Sequence, residues 1–403
     1  MGAKKSLLRQ RWLVLTSSTG SGHDMRSYAL KSWTETLEEA FTVEIRVFHA
    51  LEEGSTIGRF GVWLYNQIQR YAPFVHNVYW FIAEGFGLIN KWGLLYGGKM
   101  FRNELRQFKP QLIISMHDNL NLGYFEDARK ELGAGRVRCV TYCGEWFGGF
   151  GFSPNWINRS VDQFIVRHEG VREFALQKGL RDSQVSVFRN LLHPRDYEPR
   201  LDEAAQNELR ESLGLRDDRF TVYLATGGLG ADRHLNFLRL LNEVLANRVQ
   251  VIAVCGRNEH ALLRLNEWKT EHPDFGLWVE GYSDRVHHFL QLSDCVVSRG
   301  GANTMAEAIH FQCPVIFHAC GGIMPQERCT LRFLEQFGVG KRISAPRDLV
   351  GLIHEWVSQP SVYAQIKASF LPLRDESHPT ELVRALIRLG ETVEIGAADG
   401  EEA

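Results

Sequence analysis

Residues 11–29 read RWLVLTSSTGSGHDMRSYA, and residues 219–241 read RFTVYLATGGLGADRHLNFLRLL. Each stretch runs from apolar residues through a glycine turn into a helical pattern. That succession opens a doubly wound parallel sheet, where the turn lies at the carboxyl end of the first strand and the next helix points its N-terminus at a ligand. One such turn can be a mere corner; two in register, one per half of the chain, predict two such units. The first turn is unusual because His23 stands at its mouth. GSGHDM starts like a dinucleotide loop but has Met25 where the third glycine belongs. The following apolar run ends in Phe48 and His49 instead of a ribose-binding acid, which argues against a dehydrogenase.

Working outward, strand-like runs alternate with helix-length segments. They fall at RWLVLTS, VEIRVFHAL, QLIISMH, RVRCVTYC and DQFIVRH, after which VSVFRN leads into a polar, proline-containing stretch, and then at RFTVYLATGG, VQVIAVCG, LWVEGY, CVVSRGG and CPVIFHA. The α/β pattern predicts two Rossmann-like domains. Residues 1–195 form the first and 196–375 the second, and residues 376–403 hold a helix and an acidic tail. A chain of 403 residues with 44% hydrophobic content has room for two such cores.

Net charge is −2, so nothing global points to nucleic acid. Residues 1–195 carry 25 Lys and Arg against 18 Asp and Glu, and residues 196–403 carry 21 against 30. A basic first half fits contact with an anionic surface, although chance segregation of charge over two solvated surfaces gives the same count. Seven scattered cysteines without a CxxC pair imply reduced thiols, a cytoplasmic setting and no zinc site. No run reaches the roughly 18 apolar residues of a membrane span. The opening MGAKKS fits an N-myristoylation pattern, relevant only in a eukaryotic source.

Between residues 57 and 108 lies an aromatic-rich segment with interspersed Arg59, Arg70, Lys91, Lys99 and Arg102. Apolar faces punctuated by cations fit an interfacial membrane contact or a lipid-accepting groove; an ordinary buried insertion is the competing reading. Its glycines at 85, 87, 93, 97 and 98 argue against one long helix.

The densest chemistry is in 281–335, where CVVS runs into RGGAN and then a helix with Thr304 and Glu307. Glycines there let the backbone approach a diphosphate, and an acid one turn into the helix can hold ribose hydroxyls. The Thr304 to Glu307 spacing also matches a capping box.

With these residues in view, the sequence resembles the UDP-sugar-dependent lipid glycosyltransferases typified by monogalactosyldiacylglycerol synthase and bacterial diacylglycerol glucosyltransferases. The resemblance covers about residues 12 to 370. It rests on STGSGH, FKPQLIIS, VTYC, VCGRN, GYSDRVHHFLQLSD, RGGANTMAEA and PQE. It implies a GT-B fold, two Rossmann-like domains facing a cleft, with the acceptor on the first and the nucleotide sugar on the second, and a C-terminal helix that crosses back onto the first. By the same resemblance Gly300, Gly301, Ala302, Asn303 and Thr304 wrap the donor diphosphate and Glu307 holds the ribose. Gln326 and Glu327 contact the donor sugar, Tyr282 and Val286 border the base pocket, and Gly227 and Gly228 belong to the second glycine loop. SRGGANT departs from a family pattern resembling KPGGLT, MPQE replaces PGQE, and VTYCGEW lacks the aspartate that usually ends its strand.

The implied reaction is an inverting hexosyl transfer from a UDP-sugar donor to a membrane lipid, diacylglycerol in the first instance. It would be carried out by a cytoplasmic protein peripheral on the inner face of the membrane. Inversion needs one general base, and His23 is the first candidate; Glu145 or Asp118 could serve instead, leaving His23 to bind an anion. No DxD motif occurs, so neither a metal nor another cofactor is expected. Backbone N–H groups, with Arg257 or His193, would stabilise the diphosphate. A transferase with a soluble acceptor, a UDP-sugar epimerase and a non-catalytic nucleotide-sugar-binding protein remain alternatives.

Overall fold

The computed structural model describes residues 9–37, 42–71, 75, 77–78, 80–82, 84–85, 97–225, 233–374 and 377–394. The chain divides into two compact units. The first holds residues up to Asn66, Asn77–Pro194 and the chain from Glu376; the second holds Gln67–His76 and Arg195–Asp375.

The sheet of the first unit contains β1 (Arg9–Thr16), β2 (Thr42–His49), β3 (Leu112–Ser115), β4 (Arg138–Tyr142), β5 (Gln163–Val166) and β6 (Val185–Val187). Their order is β2-β1-β3-β4-β5-β6, all parallel. Trp12, Leu13, Val14 and Leu15 are wholly buried, which is why β1 reads as a continuous apolar run: a central parallel strand is covered on both faces. Edge strand β2 alternates between exposed and partly buried residues instead. Because the chain leaves β1 for β2 and returns to the other side as β3, the winding reverses between β1 and β3. Ligands of such sheets bind where the carboxyl ends part at that reversal, and here those ends are Thr16 and Ser115.

The second unit contains β7 (Phe220–Ala225), β8 (Val249–Val254), β9 (Leu277–Glu280), β10 (Cys295–Ser298), β11 (Val315–His318) and β12 (Gly340–Ile343). Their order is β12-β11-β10-β7-β8-β9, again parallel, with the reversal between β7 and β10. The sequence pattern did not disclose β12, an edge strand of four residues with Lys341 and Arg342 exposed. It starts on glycine because a Cβ on Gly340 would lie 1.9 Å from the Val315 carbonyl oxygen.

In the aromatic-rich segment, a 16-residue helix, Thr56–Tyr71, forms ahead of the glycines that argued against a long helix. Ile57, Phe60 and Trp63 recur every third residue along it and are more than half exposed, as are Val78, Phe81 and Ile82 farther on. Residues 86–96, like 1–8 with the MGAKKS motif, lie outside the described residues. Among the described residues no helix is long and apolar enough to cross a membrane.

The C-terminal helix Pro379–Glu391 packs on the first unit, against the helix Gly22–Glu35. Gln10 Nε2 donates to the Ile387 carbonyl (2.9 Å), and Gln10 Oε1 accepts from Trp12 Nε1 (2.9 Å). Leu382, Val383, Leu386 and Ile387 are buried, so this helix completes the first unit's core. Leu386→Ala should cost about 2–5 kcal/mol, read as a lower urea midpoint for the first unit's unfolding transition.

Candidate active site

The reversal between β1 and β3 gathers titratable groups. His23 is the second residue of the helix Gly22–Glu35, while His117 and Asp118 follow β3 directly. His23 Nδ1 lies 2.6 Å from the Met116 carbonyl oxygen. A proton on Nδ1 would be donated to that oxygen and leave the lone pair on Nε2. Arg26 Nη2 donates to the same carbonyl (3.2 Å) and stands 2.8 Å from His23 Nδ1, a contact that favours the opposite tautomer. Burial, then His117 and Arg26, hold the His23 pKa well below the ordinary histidine value. The result is a neutral imidazole, the state a proton acceptor needs.

Its neighbours are equally constrained. The His117 ring stacks obliquely on His23, centroids 4.4 Å apart, with Nδ1 2.8 Å from Asp118 Oδ1 and Nε2 2.9 Å from Thr19 Oγ1. Burial alone would raise the Asp118 pKa. The charge and hydrogen bond of His117, with help from His23 and Ser153, hold it at about 2, so Asp118 is an anion and a weak base. Glu145, in the loop after β4, is pushed up to about 7 by burial and the Asp118 charge, against the pull of Arg26 and Arg167. Arg26 itself is buried, its pKa lowered to about 10 by desolvation and by Arg167, and it fits only because residue 144 is glycine: a Cβ there would meet Nη1 at 2.3 Å.

One neighbour gave no signal in the sequence. Glu84, from the aromatic-rich segment, accepts through Oε2 from Ser153 Oγ (2.8 Å) and Asn155 Nδ2 (2.9 Å). Only the tertiary fold brings it here, from 34 residues before Asp118.

The first glycine turn is not an open cradle for an anion. The Ser18 N–H donates to Glu52 Oε1 (2.6 Å) and the Gly20 N–H to Asn66 Oδ1 (3.0 Å). Ser18 Oγ donates to Asp24 Oδ2 (2.7 Å), and His49 Nε2 lies 3.2 Å from the other Asp24 oxygen. Two carboxylates and two engaged amides leave the turn a brace for the helix that carries His23. His193, a candidate cation in the sequence, sits away from this turn with Nε2 3.4 Å from Ser32 Oγ.

In the second unit, Gly300 and Gly301 follow β10, and Ala302, Asn303 and Thr304 form the first turn of the helix Ala302–Phe311. Gly300 has φ +83°, and a Cβ on it would clash with the Phe317 ring at 2.0 Å, so only glycine closes this turn. Gly301 is the N-cap, which makes Thr304 the third helical residue and removes the capping-box reading of Glu307; that side chain is buried one turn in. Gln326 and Glu327 open the helix Glu327–Phe337. Buried Glu327 is 3.2 Å from Arg299 Nε and accepts from the Met324 N–H (2.7 Å), so burial raises its pKa while these partners oppose the rise. Arg257 lies over the exposed Tyr282 ring at 5.3 Å, and Val286 begins a short helix beside it. Gly227 and Gly228 lie outside the described residues.

Sequence reasoning passed over the cations nearest this turn. Arg299 stands between β10 and the glycine pair, and a Cβ on Gly321 would be 2.6 Å from Arg233 Nη2. Both act on His318, at the end of β11, whose pKa is lowered to about 3 by burial first and then by Arg299, His234 and Arg233. The carboxyl ends of β10 and β11 therefore meet two guanidinium groups and a neutral imidazole.

Residues 221–319 match the glycosyltransferase family 28 C-terminal domain. The fold is GT-B, and the second unit carries the family 28 match. The matched span runs from β7 to the end of β11 and includes the Gly300–Glu307 turn of this GT-B protein. It is also similar to the chloroplastic monogalactosyldiacylglycerol synthase of Spinacia oleracea, 24% identical over 377 residues covering 89% of this chain and 68% of the relative. The chain spans about two thirds of the length of the plant relatives it matches. Among solved structures, Anabaena Alr3699/HepE in complex with UDP has a TM-score of 0.53 at 14% identity, covering 94% of this chain and 98% of that one. The UDP-GlcNAc 2-epimerase of Neisseria meningitidis bound to UDP-GlcNAc has a TM-score of 0.57 at 12% identity, covering 94% and 100%. These likenesses give the GT-B protein its fold.

The neutral state of His23 carries a linkage consequence. Its pKa is about 6.5 unfolded and well below that folded, so between the two values the unfolded chain binds the extra proton. First-unit stability should fall as pH drops through that window. In a proton NMR titration the His23 ring should titrate below the ordinary histidine range, and Arg26→Gln should move its midpoint upward.

Proposed function

We propose that this protein is an inverting, metal-independent glycosyltransferase that moves a hexose from a UDP-sugar to a membrane lipid hydroxyl, that of a diacylglycerol first of all. It would work peripherally at the cytoplasmic face of a membrane. The observation that carries the reading is His23, held neutral against the Met116 carbonyl at the reversal of the first sheet, in a GT-B chain whose second unit matches a family 28 domain. In this reaction the acceptor hydroxyl gives its proton to the His23 ring, its oxygen forms the new bond at the anomeric carbon, and the bond to the diphosphate breaks to release UDP. Such a base supplies a factor of about 10² to 10⁴. The second unit would hold the donor through the Gly300–Thr304 turn and Glu307. Arg299 and Arg233 offer the charge that the sequence lacks a DxD motif to recruit, in preference to Arg257 and His193. UDP bound to a structural neighbour of the same fold supports the donor class.

The lipid acceptor draws support from the monogalactosyldiacylglycerol synthase relatives and from the exposed faces of Ile57, Phe60, Trp63, Val78, Phe81 and Ile82. Apolar surface of that extent is normally covered by a partner or a membrane. A second assignment of the base is favoured by one observation: Glu145, at about 7, is poised to take a proton at neutral pH.

Purified protein given radiolabelled UDP-hexoses and diacylglycerol-containing vesicles should form a glycolipid, and should continue to do so in EDTA. No labelled lipid from any UDP-hexose would sink the proposal. His23→Asn should lower kcat by about 10² to 10⁴ with UDP-induced thermal stabilisation intact. If Glu145→Gln gives that loss and His23→Asn does not, the base is Glu145. Trp63→Ser with Phe81→Ser should weaken co-sedimentation with vesicles.

A further inference from the structure

Glu84 is tied into the acceptor side of the first unit by a polar network. Asn155, almost wholly buried, donates through Nδ2 to Glu84 Oε2 (2.9 Å) and lies 3.1 Å from Asn119 Oδ1, next to Asp118. Ser153 donates its one hydroxyl proton to the same Glu84 oxygen and is a polar neighbour of Asp118, which acts electrostatically on both Glu84 and His23. Oε2 thus has its donors, whereas Oε1 takes no hydrogen bond from any described residue.

Resting on the lipid-acceptor reading above, we propose that Glu84 is a specificity-determining residue. It donates from Oε1 to an oxygen of the acceptor that neighbours the reacting hydroxyl, such as the ester oxygen of a diacylglycerol. The charge balance supports the required protonation. Burial first, then the anion of Asp118 and the nearby Glu145, push the Glu84 carboxyl up to about 8, against the hydrogen bond from Ser153. Two carboxyls beside one another share a proton in this way, and here Asp118 is the ionised member. Because Oε2 is occupied by two donors, the proton resides on Oε1. A neutral acid donates to an ester or ether oxygen, and the same group ionised would repel it. Glu84 therefore selects an acceptor that carries a second oxygen, while His23 handles the hydroxyl that reacts.

The test uses the full chain and 1,2-dioctanoylglycerol, with acceptor binding followed by intrinsic tryptophan fluorescence in the absence of donor. Glu84→Ala should weaken binding by about fivefold to tenfold, the worth of one hydrogen bond. Glu84→Gln, which keeps an N–H donor and an oxygen for Ser153 and Asn155, should stay within about threefold of the native protein. Native binding should weaken as pH rises through about 8, and the Gln variant should show no such step. Thermal stabilisation by UDP should be equal in all three, showing that each is folded. Unchanged affinity in Glu84→Ala, or a Gln variant as impaired as the Ala variant, overturns the assignment. Should the predicted binding pattern hold while no UDP-hexose supports transfer, the assignment of Glu84 stands and the transferase reading falls.

Discussion

One carbonyl organises the first unit's chemistry. Met116 O, just past β3, lies 2.6 Å from His23 Nδ1 and accepts a hydrogen bond from Arg26, both residues of the helix that follows β1. β1 and β3 are neighbours only because the sheet reverses its winding between them. The topology itself thus sets the carbonyl against the histidine ring, and Arg26, held beside that ring, disfavours the imidazolium.

The two glycine turns look alike in sequence and differ in electrostatics. In the first, the Ser18 and Gly20 amides are taken by Glu52 and Asn66, and Asp24 adds a further carboxylate. An anion meets negative charge there. At the turn after β10, by contrast, Gly300 is forced to positive φ against Phe317, with Arg299 and Arg233 close by. Similar backbone signatures therefore serve different purposes: one braces the helix that carries His23, and the other leaves a glycine pair among cations.

The aromatic-rich segment connects a surface property with the interior. Helical spacing places Phe60, Trp63, Phe81 and Ile82 outward, as an amphipathic element against lipid requires. The same segment sends Glu84 inward to Ser153 and Asn155. One segment thus carries both an exposed apolar face and a carboxyl anchored in the interior of the first unit.

The strand–turn–helix units, the parallel order of apolar runs, and the RGGANTMAE turn were legible because they follow from local rules: buried strands are apolar on both faces, and tight turns need glycine. Edge strand β12 was not, since four residues with two exposed cations carry no apolar signal. His23 stood out in the sequence, but its role there was open between base and anion ligand. Its neutral state rests on burial first and then on His117 and Arg26, with the ring set against the Met116 carbonyl, 93 positions away in sequence. Glu84, Arg299 and Arg233 were likewise silent, as a single charged residue looks the same on a solvated surface and in a desolvated pocket. Sequence determined the fold through local pattern. The charge state of each group was decided by tertiary structure alone, because desolvation and neighbouring charge arise only once distant segments pack together.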